Sequence, residues 1–555
     1  MLLGGSAAPL KEKRDHVGVR GCRDLGTLAS KHGAAKPVFL CRLRRARNLV
    51  VSGPCHPLLR ESWRVLHVLA AMHKRLLSFW ENLDPMVPMV IVAALVGFLG
   101  SMAVEVFRQA MYAVMRLYTT SQHLVAAATA LPLWLRVVIP TTCATVGGLI
   151  MWGGHRWIKR PRGPEYMEAV RVGDGILPLG PNATRTLSSL ASVSGGITIG
   201  REGTMIQFAA LISSLMGRLG KTDASHRRLI VACGAAAGFA GAYHAPIAGT
   251  MFVSEVILGG LALREITAIL VSAVVGELTT QALFASGPLY LSHPIPPVGF
   301  FDLLDATLLG VVAGLVGPAF LWALDKSRRW YQSAVTFIPL RMGLAGLVIG
   351  LLSLLRPEVW GNGYSVVQSF LVDHWLLSTL AGLFVLRLMA TIAASAAGIP
   401  GGVLTPTLAL GGILGLIVQH SLLISHASHS QGLWVLVGMG SLLAATTHAP
   451  AMSAIMMFET TRNYNVVLAA MPACVVASVI GSLLRRRSVY TEALGLVEHF
   501  EKPSLLDAIT GRQAPAHIEA DSEIQEQNLS AKTREELAPA KLESGPEVGS
   551  LPPDR

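Results

Sequence analysis

Hydrophobic residues run along this chain in long blocks. Residues 86–104, 137–154, 229–254, 306–324 and 463–484 contain no Asp, Glu, Lys or Arg. Each block, as a helix rising 1.5 Å per residue, can cross about 30 Å of hydrocarbon. The longest charge-free run, residues 388–458, has room for at least two embedded segments. The pattern predicts an all-α polytopic membrane protein with roughly ten to twelve spanning helices. Residues 186–217 are uncharged except for Arg201 and Glu202, inside Gly200-Arg201-Glu202-Gly203. An ionisable residue at membrane depth is costly unless it lines a polar pathway or has a partner. A route for ions is therefore the first expectation.

The apolar blocks also repeat. Residues 234–246 end in His244-Ala245-Pro246 and are echoed by residues 438–450, which end in His448-Ala449-Pro450, an offset of 204. In each copy a glutamate follows the proline by nine residues, Glu255 and Glu459. Upstream of each His-Ala-Pro lies a Gly-rich break, Gly200-Arg201-Glu202-Gly203-Thr204 and Gly402-Val403-Leu404-Thr405-Pro406. Interrupted segments at corresponding places in two halves point to a mid-membrane binding site between repeats. A helix that starts inside the membrane presents free N–H groups and the positive end of its dipole, so the site suits an anion. The plainer alternative is that these glycines only let helices pack closely. If Gly402 admits an ion to the backbone, Gly402→Val is expected to harm transport, whereas Leu404→Phe leaves it largely intact.

Composition narrows the class. Of 555 residues 52% are hydrophobic and only 14% charged, and the mean hydropathy is +0.51. The formal charge of +12 does not indicate nucleic acid, because basic residues sit beside hydrophobic segments. Lys74-Arg75 before the first span and Arg485-Arg486-Arg487 after the last place both ends in the cytoplasm by the positive-inside rule. Cys22, Cys41, Cys55, Cys143, Cys233 and Cys474 show no metal-ligand spacing, so neither a disulfide framework nor a metal is expected. His244 and His448 read as equivalent packing positions rather than ligands. No His-Glu-x-x-His, Gly-x-Ser-x-Gly or paired intramembrane Asp pattern occurs, which argues against an enzyme. Residues 1–70 read as a basic cytoplasmic extension, with Met72 as a rival start. Residues 71–500 form the membrane domain, with halves at about 85–290 and 300–490. Residues 501–555 read as a disordered tail.

The motifs resemble those of the CLC family of chloride channels and proton-coupled chloride exchangers. Residues 200–204 resemble its Gly-Lys/Arg-Glu-Gly-Pro signature, and residues 402–406 its Gly-x-Phe-x-Pro signature. Tyr243-His244-Ala245-Pro246-Ile247-Ala248-Gly249 is similar to the family's Asn-Ala-Pro-Leu-Ala-Gly segment, and residues 459–465 to its Glu-x-Thr-x-Asn-Tyr. The resemblance implies two inverted halves with discontinuous helices and a homodimer with one pathway per subunit. It implies chloride as transported ion, no cofactor and no nucleic acid, in a cell membrane, that of a bacterial inner membrane. Glu202 matches the gating glutamate. Gly200, Arg201 and Gly203, with Gly402, Val403, Leu404 and Thr405, fall at the anion-binding positions, and Tyr490 falls where a hydroxyl reaches the central anion. The alternative for Tyr490 is an interfacial aromatic.

Two departures bear on mechanism. The family's Gly-Ser-Gly-Ile-Pro-Glu signature has as its best match Arg160-Pro161-Arg162-Gly163-Pro164-Glu165. Pro161 then stands where a serine would coordinate the anion, a version similar to the bacterial subgroup labelled voltage-gated ClC-type channels. Val256 stands where exchangers carry an internal proton-transfer glutamate, and valine cannot carry a proton. A channel is thus expected ahead of a proton-coupled exchanger. Glu255 itself reads as an acceptor for nearby backbone donors.

Overall fold

The computed structural model describes residues 86–158, 165–220, 222–260, 263–284, 287–421 and 431–490. The extension at 1–70, Met72, Lys74-Arg75, Pro161, the tail from 501 and three of the cysteines lie outside the described residues. The described elements are helical, and they fall into two series. The first comprises α1 (Met86–Met115), α2 (Leu124–Ala130), α3 (Leu133–Trp157), α4 (Tyr166–Arg171), α5 (Leu179–Ser194), α6 (Glu202–Leu219), α7 (Ala224–Tyr243), α8 (Pro246–Met251) and α9 (Leu263–Phe284). The second comprises α10 (Phe300–Ala334), α11 (Ile338–Leu355), α12 (Tyr364–Val372), α13 (Leu377–Ala396), α14 (Leu404–Ser421), α15 (Gln431–Thr447), α16 (Pro450–Thr461) and α17 (Tyr464–Leu484).

Packing follows the repeat. The pairs α6/α7, α7/α9 and α1/α9 in the first half recur as α14/α15, α15/α17 and α10/α17 in the second. Counterparts also meet across the centre, α3 on α11 and α8 on α16. These are two inverted halves. Small residues let backbones touch, because apolar helices in lipid gain association from close packing rather than from hydrophobic burial. At the α14/α15 contact, a Cβ on Gly415 would lie 2.0 Å from the Trp434 carbonyl oxygen. The outer surface is apolar, with Ile91, Leu95 and Phe98 on α1, Leu308 and Leu315 on α10, and Leu468 and Met471 on α17 all exposed. Such a surface suits hydrocarbon, and backbone polar groups inside it are satisfied within each helix.

Among the described residues, eight helices are long and apolar enough to span, fewer than the ten to twelve expected. The shortfall has a physical cause. Residues 229–254, continuous in hydrophobicity, are broken at His244, which adopts a left-handed conformation (φ 55°) and caps α7. A short second leg follows, α8 running into a wide π turn at Phe252–Leu258. His448 does the same at the end of α15, with φ 57°. The two histidines thus hold equivalent turn positions, as the repeat implies.

After each turn a helix starts in the interior with unpartnered N–H groups. The glutamate of the opposite half caps it. Glu459 accepts hydrogen bonds from the N–H groups of Ile247 (2.9 Å) and Ala248 (2.7 Å), and Glu255 accepts one from Met452 N–H (2.9 Å). Glu255 is thereby an acceptor for backbone donors, though in the other repeat rather than its own. Each such bond joins the halves through a carboxyl acceptor, and leaving its N–H donor unmet would cost about 1–3 kcal/mol. Glu459→Ala should lower the thermal midpoint of the detergent-solubilised protein by several degrees, and Glu459→Gln, which keeps one acceptor oxygen, by roughly half as much. Equal midpoints for parent and alanine variant in a thermal-shift measurement would show that the caps do not tie the halves.

Candidate anion site

The two Gly-rich breaks meet. Gly200 N–H donates to Gly402 C=O (2.7 Å) and Gly402 N–H donates to Gly200 C=O (2.8 Å), an isolated antiparallel bridge. Immediately after it α6 and α14 begin, so two helix N-termini face one point. Gly200 is required by proximity: a Cβ there would lie 2.6 Å from Gly402 C=O and 2.8 Å from Glu202 Oε2. A Cβ on Gly402 would have its nearest neighbours at 3.4 Å, an ordinary contact. Against protein atoms the tighter position is therefore Gly200. Because Gly200 and Gly402 spend their N–H groups on each other, neither is a donor for an ion. The N–H groups left without an intrahelical acceptor by helix geometry are those of Glu202 and Gly203 on one side and Leu404 and Thr405 on the other, with Val403 just before them.

Glu202 fills this meeting point and is only 1% exposed. Its Oε2 accepts from the Thr405 hydroxyl (2.6 Å) and its Oε1 from Asn362 Nδ2 (2.6 Å), while Arg201 Nε lies 3.4 Å from Oε1. A buried carboxylate without such donors would face a desolvation cost of several kcal/mol. Two helix dipoles, each equivalent to about half a positive charge, add to the attraction. Chemically, the seat accepts a single small negative group, and the side chain of Glu202 now occupies it.

The surrounding residues separate into those brought together and those held apart. Arg201 directs its guanidinium over the Tyr364 ring (5.4 Å to the centroid) and toward Met111. Thr405 also hydrogen-bonds Tyr243 (2.9 Å). From Tyr243 a series of ring contacts runs to Phe239 (4.7 Å), on to Phe252 (5.0 Å) and then to Tyr490 (5.6 Å). Tyr490 is thus a half-buried packing partner of Phe252, linked to the seat through rings. Val256, also half-buried, lies on the π turn beside Glu255. His244 Nδ1 pairs with Glu277 on α9 (3.2 Å). Among the described residues no group of three or more His, Cys, Asp or Glu is placed to hold a metal.

Asn362 and Tyr243 were not singled out by sequence. Asn362 stands in Gly361-Asn362-Gly363, a turn signal, and both glycines have positive φ (76° and 119°). The loop is held rigidly: the fully buried Arg387 donates to Glu358 C=O (2.6 Å) and Gly361 C=O (3.2 Å), and Gly361 N–H donates to Gly196 C=O (2.8 Å).

Comparison with known proteins gives the family. The sequence model of the family described as "Voltage gated chloride channel" matches residues 147–482. The chain belongs to that family, the CLC family. It is a polytopic membrane transport protein for anions and not an enzyme. The chain is 42% identical over 414 residues to the "Putative chloride channel protein ClcB-like" of Ralstonia nicotianae, covering 73% of this chain and 96% of the relative. It is 40% identical over 410 residues to the "Voltage-gated ClC-type chloride channel ClcB" of Citrobacter koseri, covering 73% and 98%. Among solved structures, a slow cyanobacterial Cl⁻/H⁺ antiporter superposes with a TM-score of 0.67 at 23% identity, covering 75% of this chain and 98% of that one. A CLC-type fluoride/proton antiporter gives 0.63 at 20% identity, covering 74% and 98%. Both establish the CLC fold.

The bridge separates the two glycines experimentally. Gly200→Ala forces the Gly402 carbonyl or the Glu202 carboxylate to move and should cut chloride flux from liposomes by about tenfold or more, whereas Gly402→Ala should stay within about twofold of the parent. Equal losses in both variants, at equal thermal stability, would refute this ordering.

Proposed function

We propose that the chain carries chloride along a pathway that the ionised Glu202 closes, and that passage is coupled to protons. The observation that carries this reading is the seat itself: a carboxylate, 1% exposed, takes the anion's place where α6 and α14 face each other. While Glu202 is charged its side chain and a chloride compete for the same donors. Protonation removes the charge, weakens the hold of the donors and admits the anion. Gly203, Val403, Leu404 and Thr405 are the backbone donors assigned to the anion, and Arg201 supplies positive potential beside them. Tyr490 and Pro161 are assigned to the central stage of the same pathway, with proline supplying no hydroxyl.

Coupling to protons is supported by the protonatable group standing in the path, so that each opening takes up a proton. The solved proteins of this fold named above are antiporters by title. A second reading, passive conduction, rests on Val256 and on Glu255 being engaged by Met452 N–H, which leaves no carboxylate at the usual internal position. The names of the relatives from Ralstonia nicotianae and Citrobacter koseri agree with it. We assign a homodimer with one pathway per subunit, in a bacterial inner membrane with both termini cytoplasmic. The basic residues Arg485, Arg486 and Arg487 after α17 support that topology.

The deciding experiment uses liposomes loaded with chloride, an outward anion gradient, voltage clamped at zero and an internal pH reporter. Exchange predicts that chloride exit drives protons inward and that Glu202→Gln stops proton movement while anion flux continues. Chloride loss without proton uptake would establish the passive reading. In the same preparation, parent flux should rise toward acid by up to about tenfold per pH unit, and Glu202→Gln should be flat to within about twofold. A well-folded Glu202→Gln protein that keeps the parent's pH response would place the gate elsewhere.

A further inference from the structure

Glu202 is held on both oxygens by neutral side chains from the other half of the protein, and those donors explain more than burial. Asn362 is 6% exposed and Thr405 1% exposed. Asn362 Oδ1 faces the N–H of Tyr364 at 3.5 Å, which orients the amide so that Nδ2 points to Glu202. Thr405 has one hydroxyl hydrogen, and it is donated to Glu202; toward Tyr243 the same oxygen must therefore accept. The result is a directed chain, Tyr243 O–H to Thr405 O–H to the carboxylate. We propose that Asn362 and Thr405, the latter aligned by Tyr243, are positioning residues that set the pH at which Glu202 releases the pathway. This rests on the reading of Glu202 as the gate.

The physical case is a competition between a proton and two donors. A carboxylate accepting two hydrogen bonds of 2.6 Å is stabilised in its charged form. A protonated carboxyl needs an acceptor on its hydroxyl side, where Asn362 Nδ2 can only donate and Thr405 can accept only by turning its hydrogen away onto Tyr243. Other groups facing Glu202 are Arg201 on its own element, Tyr243 from α7, Tyr364 from α12 and Tyr290 from the segment before α10. Arg201 is shared with Tyr364, and the Tyr290 hydroxyl is buried without a hydrogen bond among the described residues. Tyr364 stands beside Glu202 as a close neighbour, and the two bonds of 2.6 Å that hold the carboxylate oxygens come from Asn362 and Thr405. Because both come from the second half and Glu202 from the first, the release point is set across the repeat interface.

The test measures chloride flux against pH in liposomes for Thr405→Val, Thr405→Ser, Asn362→Leu and Tyr243→Phe, each alone and combined with Glu202→Gln. Thr405→Val and Asn362→Leu keep size and remove a donor. Each should move the half-activating pH upward by about one unit, equivalent to about tenfold easier protonation. Thr405→Ser keeps the hydroxyl and should stay within a few tenths of a unit of the parent. Tyr243→Phe should shift upward by less than Thr405→Val, and it stands in for either variant that does not fold. On the Glu202→Gln background all four substitutions should leave the flat pH profile unchanged. Unshifted midpoints in the folded variants, with Glu202→Gln still flat, would overturn this proposal and leave the gate reading intact. A pH response that survives Glu202→Gln would instead overturn the gate reading beneath it.

Discussion

A carboxylate in a low-dielectric interior must be matched by donors, and in this protein one of those donors is positioned by the two hydrogen bonds between Gly200 and Gly402. Those bonds hold the starts of α6 and α14 against each other, which brings Thr405 to one oxygen of Glu202. The second oxygen depends on a loop fixed by a buried guanidinium, since Arg387 clamps the carbonyls of Glu358 and Gly361 and so presents Asn362. Removing the bridge would free the start of α14 and with it the Thr405 donor to Glu202. In the proposed function, the seat for an anion and the hold on Glu202 use the same set of donors.

The same logic operates away from the seat. Helices that begin inside a membrane leave N–H groups that water cannot reach. At α6 and α14 those groups lie beside the Gly200–Gly402 bridge and the Glu202 carboxylate. At α8 and α16 they are instead closed permanently by Glu459 and Glu255, each reaching into the opposite half. Interior helix starts therefore stand beside two kinds of carboxylate, one held by side-chain donors at Glu202 and two bound to backbone at Glu255 and Glu459. The difference explains why two glutamates at equivalent positions in the repeat are structural while Glu202 has no counterpart: residue 404, at the corresponding start, is leucine.

Much of this was legible in the chain. The apolar blocks, the His-Ala-Pro repeat and the pair of Gly-rich breaks are local signals, because membrane helices declare themselves by composition and a break in one needs glycine or proline within a few residues. Glu202 stood out for the same reason, as a charge with no neighbouring charge except Arg201. Less legible were the helix count and the continuity of residues 229–254, because hydropathy does not record a left-handed residue such as His244. The choice between Gly200 and Gly402 as the tighter glycine was also out of reach, since it depends on which atoms lie opposite.

What the sequence by itself determined is the class of protein, its two-part construction and the carboxylate that matters, all of which rest on residue type and spacing along one strand of chain. Tertiary structure alone decided the partners: Asn362 and Thr405 lie 160 and 203 residues from Glu202, and Glu459 lies 212 from Ile247. No periodicity links such positions. They meet because two inverted halves must satisfy each other's buried polar groups, and which donor meets which acceptor is set by the packing of α6 on α7, α14 on α15 and α8 on α16 rather than by any local preference of the residues involved.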